Sequence, residues 1–338
     1  MMHSFHLFKQ PYWIAWLLVL TSWVGIAKAQ DFPSTEIQSD DLRVSLYLPD
    51  ASKGYYRGSR FDWSGVISQL TFQGHTYFGQ WFQRYDPYLH DAILGPVEAF
   101  DPIGYEEAKS GEEFLKIGIG WIRKIDEQPY RFTAPFEITD HGKWRIKKTK
   151  TSVTLRQRLS EKNGYGYQYT KVVELVQGQP EMKLVHRLEN TGKNPIKTRV
   201  YNHNFFMLDN QPIGPAYEVS FPFRPTLISN TKGMGTVTEI SGNKVAFKEA
   251  IPPGESVYFV LGGYSEEASD YDITLTNRKS GYGVRITNDH PIVFLPFWGI
   301  HTTLCPEPYM DVHVMPGESQ TWTTTYSFFS THSSLQQP

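Results

Sequence analysis

Histidine, asparagine and tyrosine side chains are concentrated in one apolar stretch, residues 198–209, which reads Thr-Arg-Val-Tyr-Asn-His-Asn-Phe-Phe-Met-Leu-Asp. The apolar content predicts a strand, and strand side chains alternate between two faces. Arg199, Tyr201 and His203 therefore share one face, and Asn202 lies on the other. We expect the first face to form the floor of a polar, aromatic cleft, where a histidine can transfer protons, and Asn202 to be structural.

A carboxylate that could act with this histidine is Glu307, which stands between two prolines in the sequence Cys-Pro-Glu-Pro-Tyr. Proline restricts the backbone, so a carboxylate between two prolines loses little conformational freedom when it is oriented. Arg60 lies in an aromatic, turn-rich segment and His90 lies in Tyr-Leu-His-Asp-Ala. Residues 79–120 are aromatic but show little strand pattern at first, which predicts a cleft wall, since long irregular segments are usually functional.

Other kinds of site have no motif in the sequence. It contains no His-x-His or His-Glu-x-x-His spacing, no Gly-x-Ser-x-Gly and no phosphate-binding or dinucleotide-binding loop, so we expect neither a metal nor a cofactor. Cys305 is the single cysteine, which excludes an intramolecular disulfide and predicts a buried thiol. A net charge of −2 and a pI near 6.6 predict no nucleic-acid partner.

Short runs of alternating apolar residues recur between Gly-, Asn- and Pro-rich turns from residue 42 onwards, and an example is the run over residues 165–175. This pattern predicts an all-β protein with two large, mainly antiparallel packed sheets. The hydrophobic share of 40% and the aromatic share of 15% agree with a globular β core. No change in composition divides the chain, so we expect one domain over residues 41–338.

The N-terminus has the layout of a secretory signal. Lys9 precedes an apolar run over residues 12–26, and the sequence Ala-Lys-Ala follows it. We expect a signal peptide over residues 1–29, cleavage before Gln30, and a flexible tail over residues 30–40. The run is short for a transmembrane helix. The mature protein is therefore expected to be periplasmic or secreted, with no membrane contact after cleavage.

The order of these motifs resembles that of the galactose mutarotase-like (aldose 1-epimerase) superfamily. In that family an Asn-His-Thr-Tyr-Phe-type motif supplies the catalytic histidine, and Asn-His-Asn-Phe-Phe at residues 202–206 is similar to it. A late Glu-Pro-Trp-type motif supplies the catalytic glutamate, and Glu-Pro-Tyr at residues 307–309 matches it. A Pro-Gly-Glu turn at residues 316–318 precedes the last predicted strand, as in the family. The Gly-Gly pair that follows the family's upstream histidine is replaced by Asp-Ala at residues 91–92.

The resemblance implies a β-supersandwich fold and the interconversion of sugar anomers without a cofactor. It assigns Glu307 as the base and His203 as the acid, and it makes Arg60 and His90 residues that hold the sugar. Asp209 is a candidate for the family's substrate-binding aspartate. Arg199 and Tyr201 share the strand face of His203 and are therefore also expected to bind the substrate. The expected partner is a small sugar or an oligosaccharide.

Two other classes fit the same residues. A polysaccharide lyase needs a base such as Tyr or His beside a group that neutralises a uronate, and Tyr201, Asn202, His203 and Arg199 could serve. A glycoside hydrolase would need two carboxylates in one cleft, for which Glu98 and Glu307 are the pair to test. A sugar-binding protein without catalysis would also have aromatic platforms and hydroxyl-binding side chains.

Overall fold

The computed structural model describes Met1 and residues 31–332. The chain divides into a short N-terminal unit, Met1–Asp31, and a large unit, Phe32–Pro338, whose described residues contain the strands and the candidate site. Except for Met1, the expected signal peptide over residues 1–29 lies outside the described residues. Among the described residues, no helix has the length and apolar character needed to cross a membrane.

Ten antiparallel strands form the largest sheet. From one edge to the other they are β16 (Thr238–Ser241), β17 (Lys244–Phe247), β14 (Tyr217–Ser220), β19 (Asp272–Asn277), β20 (Tyr282–Asn288), β24 (Ser319–Ser330), β12 (Glu181–Asn190), β11 (Tyr165–Leu175), β10 (Ser152–Lys162) and β9 (Lys143–Lys148). In β11 the side chains of Tyr167 and Tyr169 are fully buried while Gln168 and Thr170 are half-buried, as the alternation predicted.

Four smaller antiparallel sheets complete the fold. One has the order β1 (Ser34–Gln38), β2 (Leu42–Tyr47), β3 (Val66–Phe72), β4 (His75–Thr76), and another has the order β15 (Thr226–Lys232), β18 (Ser256–Gly262), β21 (Leu295–Ile300), β22 (Thr303–Pro306). The three-stranded sheets are β23 (Tyr309–Val314), β13 (Ile196–His203), β5 (Val97–Phe100), and β6 (Glu113–Lys116), β7 (Gly120–Arg123), β8 (Ile138–Asp140). Two short 3-10 helices cover Leu208–Asn210 and Ala268–Asp270.

The apolar side chains of the large sheet pack against those of the smaller sheets. One buried cluster joins Leu184 and Leu275 of the large sheet to Val44 of β2 and Phe259 of β18. The all-β, antiparallel prediction is confirmed, and the architecture is a β-sandwich. The second layer differs from the expected single large sheet, because it is divided among several shorter ones.

The prediction of a flexible tail over residues 30–40 is wrong for β1. This strand pairs antiparallel with β2 along its whole length, and Ile37 lies opposite Val44. Ile37 is buried although its neighbours are polar. The polar sequence Ser-Thr-Glu-Ile-Gln gave little apolar alternation, but backbone hydrogen bonds to β2 and one buried side chain are enough to order an edge strand.

Candidate active site

Strand β13 presents the candidate histidine, and it lies between β5 and β23. Its last residue, His203, is opposite Val97 of β5, and Tyr201 is opposite Tyr309 of β23. The side chains of Tyr201 and His203 line a cleft on one side of the sheet. The side chain of Asn202 faces the other way, where its Nδ2 donates to Glu98 across 3.0 Å. The predicted division of faces is therefore confirmed at these positions.

The strand ends in a strained turn that places an aromatic ring against the histidine. Phe205 has a φ of +45°, which L-residues with bulky side chains rarely adopt. Its backbone N–H donates to the Sγ of Cys305 over 3.0 Å, and Cys305 is fully buried, as predicted. The Phe205 ring stacks on the His203 ring with 3.7 Å between centroids. This stacking restricts the plane of the imidazole.

Glu307 is held by the backbone around it. It follows β22, and its N–H donates to the carbonyl of Pro296 over 2.9 Å. The preceding carbonyl, that of Pro306, accepts a hydrogen bond from the Asn204 side chain over 2.9 Å. The prolines on both sides of Glu307 further restrict its backbone. The carboxylate is thus aimed by rigid neighbours, as the proline-flanked sequence predicted.

His203 and Glu307 meet at the floor of the cleft. The Nε2 atom of His203 lies 3.3 Å from Oε1 of Glu307. Both residues are largely buried, with 4% and 7% of their surfaces exposed. Residues that are about 100 positions apart in the sequence are therefore within reach of proton exchange, which the sequence order alone does not show.

Burial alters the proton affinities of the pair in opposite directions. Burial raises the pKa of Glu307 to about 7, although the nearby Arg60 guanidinium opposes that rise and Asp91 adds to it. Burial lowers the pKa of His203 well below its usual value, and the positive charge of Arg60 lowers it further. These directions place a shared proton on Glu307 rather than on His203 in this structure.

Arg60 supplies the positive charge of the cleft. It forms an ion pair with Asp91, and its Nη2 donates to the hydroxyl of Tyr201 over 3.2 Å. Its guanidinium also lies 3.9 Å from the centre of the Phe132 ring. His90 is one layer behind the cleft, because its Nε2 contacts Asp91 at 3.1 Å and it does not line the cleft itself.

The cleft has a volume of about 450 Å³ and largely aromatic walls. Its lining residues are Arg60, Trp81, Asp91, Phe132, Tyr201, His203, Phe205, Tyr258, Trp298, Glu307 and Tyr309. Trp81 and Asp91 come from residues 79–120, the segment predicted as a cleft wall. Aromatic rings with a few polar groups suit a small hydroxyl-rich ligand. Among the described residues, no group of three or more His, Cys, Asp or Glu side chains is arranged to hold a metal ion.

Besides His90, two further predicted substrate-binding residues, Arg199 and Asp209, lie outside the cleft lining. Arg199 is half-exposed, and its Nε donates to Asp101 over 2.8 Å. Asp209 contacts Nδ1 of His75 at 2.8 Å and accepts the N–H of Thr76. The strand periodicity ends before Asp209, which falls in a 3-10 helix, and Arg199 does not line the cleft.

Glu98 does not share a cleft with Glu307, contrary to what a glycoside hydrolase would need. It lies in β5 opposite Asn202 of β13, and its side chain is fully buried with those of Lys171, His186 and Asn202. Burial alone would raise the pKa of Glu98, but the charges of Lys171 and His186 outweigh that effect and lower it to about 2. Glu98 is therefore the anion of a buried ionic cluster.

No motif or spacing in the sequence indicated that three of the cleft-lining residues would be there. Trp298 lies in β21, and its ring meets the His203 ring edge to face at 5.5 Å. Tyr258 belongs to β18 and Phe132 to the loop between β7 and β8. Each reaches the cleft from a segment far from residues 198–209, so periodicity around His203 could not reveal them.

Comparison with known proteins shows similarity of structure only. No protein-family model matches the sequence, and no curated protein matches it. The Slr1438 protein from Synechocystis sp. PCC 6803 is 15% identical over 90% of this chain and 99% of its own, with a TM-score of 0.55. A galactose mutarotase-like protein from Clostridium acetobutylicum is 11% identical over 88% and 95% of the two chains, with a TM-score of 0.53.

A third solved structure is the galactose mutarotase related enzyme from Lactobacillus acidophilus. It is 14% identical over 88% of this chain and 98% of its own, with a TM-score of 0.51. Identities this low establish the fold and leave the activity to be argued from the site. This chain has the galactose mutarotase-like fold, which the motifs around His203 and Glu307 predicted.

Proposed function

We propose that this protein is an aldose 1-epimerase-like enzyme that interconverts the anomers of a free sugar. The observation that carries the proposal is the 3.3 Å contact between Nε2 of His203 and Oε1 of Glu307 at the cleft floor. A cyclic sugar has two oxygens on its anomeric carbon, the hydroxyl and the ring oxygen. An acid and a base that serve these two oxygens must lie side by side, as these two groups do.

The reaction needs one proton shared by the pair. The proton on Glu307 passes to Nε2 of His203 across their contact. The Glu307 carboxylate then takes the proton of the anomeric hydroxyl while His203 protonates the ring oxygen. The bond between C1 and the ring oxygen breaks, and the anomeric oxygen becomes the carbonyl oxygen of an open-chain aldehyde.

Ring closure reverses these transfers on the other face of the aldehyde. After rotation about the C1–C2 bond, the hydroxyl that was the ring oxygen attacks C1 and returns its proton to His203. Glu307 returns its proton to the carbonyl oxygen, which becomes the anomeric hydroxyl of the other anomer. No atom is gained or lost, and no cofactor is required.

The remaining cleft residues would bind the sugar. Arg60 has donors for ring hydroxyls. Burial raises the pKa of Tyr201 to about 12 despite the nearby Arg60, so its phenol remains a hydrogen-bond donor at neutral pH. The half-buried ring of Trp298 lines the cleft and offers an apolar surface to the sugar. His90 would act through Asp91 by orienting Arg60.

The test is the rate at which pure anomers of free aldoses reach equilibrium, measured by polarimetry or proton NMR. We expect Glu307→Gln and His203→Ala each to lose about 10²- to 10⁴-fold in rate while keeping the folded circular dichroism spectrum. The control is Glu318→Gln, the same change at an exposed glutamate. Near-wild-type rates in either cleft variant, or sugar binding by the wild type without any rate enhancement, would overturn the proposal.

We also propose that the mature protein is periplasmic or secreted. The support is in the sequence, where Lys9, the apolar run over residues 12–26 and the small residues Ala27 and Ala29 have the order of a signal peptide. Mass spectrometry of the full chain expressed in a bacterium with a periplasm should show a product that begins at Gln30. A product that keeps the whole N-terminus would contradict this location.

A further inference from the structure

The sheet face that carries His203 continues beyond the cleft. Every second side chain of β13 lies on this face, and the antiparallel register places each one opposite a residue of β23. From the cleft outward the cross-strand pairs are Tyr201 with Tyr309, Arg199 with Asp311, and Lys197 with His313. We call the two outer pairs, Arg199–Asp311 and Lys197–His313, the strand track.

The strand track is polar and accessible. All four of its residues are exposed. Within the described part of the chain, the side chains of Lys197, Asp311 and His313 have no hydrogen-bond or ion-pair partner, while Arg199 pairs with Asp101. The track therefore offers donors and acceptors whose capacity is not used by the protein itself.

The track lies in open hollows that extend away from the cleft. It lines a hollow of about 490 Å³. A second hollow of about 440 Å³ adjoins the first, because both are lined by Pro102 and Lys197. His203 and Lys197 are six positions apart, which corresponds to about 20 Å along a strand at about 3.3 Å per residue. This length exceeds the size of a single sugar ring.

The track and the cleft share a boundary made of side chains that touch. The guanidinium of Arg199 lies 5.4 Å from the centre of the Tyr309 ring. Tyr309 in turn stacks on Tyr201 at 4.3 Å, and both tyrosines line the cleft. A chain that leaves the cleft over Tyr309 thus meets Arg199 and Asp311 next.

We propose that the strand track binds the rest of a linear, neutral oligosaccharide whose reducing-end sugar occupies the cleft. This inference rests on the proposed function and names its substrate class. Lys197 and Arg199 are positive, Asp311 is negative, and Asp101 pairs with Arg199, so these charges balance and no net charge favours a polyanion. The hollow that the track lines exposes no large apolar side chain that would anchor a peptide. Paired donors and acceptors instead match sugar hydroxyls.

The experiment compares mutarotation of a monosaccharide with that of the linear tetrasaccharide that ends in the same sugar. The probes are glucose with cellotetraose, mannose with mannotetraose, and xylose with xylotetraose, followed by proton NMR of the reducing end. For at least one pair we expect kcat/KM to be about tenfold or more higher for the tetrasaccharide, as two or more added hydrogen bonds provide.

Substitutions on the track test whether it causes the preference for the tetrasaccharide. Lys197→Ala combined with Asp311→Ala should bring the ratio of tetrasaccharide to monosaccharide kcat/KM close to one. The matched control is Lys143→Ala combined with Glu174→Ala, two exposed charges on the ten-stranded sheet, which should leave the ratio at the wild-type value. Ratios near one in the wild type for all three pairs, or an unchanged ratio in the track variant, would overturn the inference.

A binding measurement separates failure of this inference from failure of the proposed function. If no monosaccharide is mutarotated, the proposed function fails, and calorimetry on Glu307→Gln tests the track alone with the same probes. Binding of a tetrasaccharide about tenfold or more tighter than that of its monosaccharide, lost in the track variant, would uphold the track. Equal affinities for both would overturn it.

Discussion

The side-chain amide of Asn204 donates a hydrogen bond to the carbonyl oxygen of Pro306 over 2.9 Å. Asn204 follows His203, and Pro306 precedes Glu307, so one buried bond joins the two backbone segments that present the pair. The Tyr326 hydroxyl donates to Oδ1 of the same amide over 2.8 Å, which orients it. Asn204 is therefore a positioning residue for the His203–Glu307 contact.

Asn204→Ala should both destabilise the protein and slow mutarotation. It leaves the Pro306 carbonyl and the Tyr326 hydroxyl unpaired in a buried place, which we expect to cost about 3 kcal/mol in urea unfolding. Loss of alignment should lower kcat at least about tenfold. The control is Asn288→Ala, which removes a buried amide that donates to Thr324 and does not line the cleft. In this variant stability should fall and kcat should not. Wild-type kcat in Asn204→Ala would contradict the positioning role.

The pH dependence follows from the proton shared by the pair. Burial raises the pKa of Glu307 to about 7 and lowers that of His203 well below its usual value. The pair therefore keeps its proton below about pH 7 and loses it above. We expect kcat/KM for mutarotation to fall as pH rises through about 7, approaching about tenfold for each further pH unit. A rate that is flat or rises over that interval would contradict a requirement for this proton.

Phe132→Ala should weaken sugar binding more than it slows the reaction. The ring is 44% exposed, lines the cleft and lies 3.9 Å from the Arg60 guanidinium, whereas the proton transfers are assigned to His203 and Glu307. We expect KM to rise about three- to tenfold with kcat within about twofold, from initial rates at increasing sugar concentration. The matched control is Tyr88→Ala, an exposed ring 4.5 Å from Arg57 and outside the cleft lining, which should leave KM unchanged. An unchanged KM in Phe132→Ala would remove this ring from the binding surface.

Lys171→Met tests whether Glu98 is structural. Removal of the ammonium leaves the Glu98 carboxylate fully buried with only His186 and Asn202 as partners. We expect a loss of about 3–5 kcal/mol in the free energy of unfolding. In the control Lys162→Met, a half-exposed lysine paired with Glu113 is removed, and this should cost under about 1 kcal/mol. Equal, small losses in both variants would show that the buried cluster contributes little.

Local periodicity and rigid backbone chemistry were readable from the sequence. A strand has a side-chain period of two, so Tyr201 and His203 were predicted on one face and Asn202 on the other. The prolines around Glu307 marked a carboxylate with a restricted backbone. The repeated apolar alternation predicted the antiparallel β architecture, because backbone hydrogen bonding and burial act on the same short segments throughout the chain.

Only the tertiary structure decided which of these residues meet. Periodicity placed Arg199 on the same strand face as His203, but the cleft covers that face only as far as Tyr201, so Arg199 lies outside it. The positive φ of Phe205 ends the strand, so Asp209 could not be placed by counting residues. Glu98 and Glu307 are chemically alike, yet one is enclosed by Lys171 and the other lines the cleft. The sequence by itself therefore determined the strand, its faces and the chemistry of the candidates, while the packing of distant segments decided their distances, burial and proton affinities.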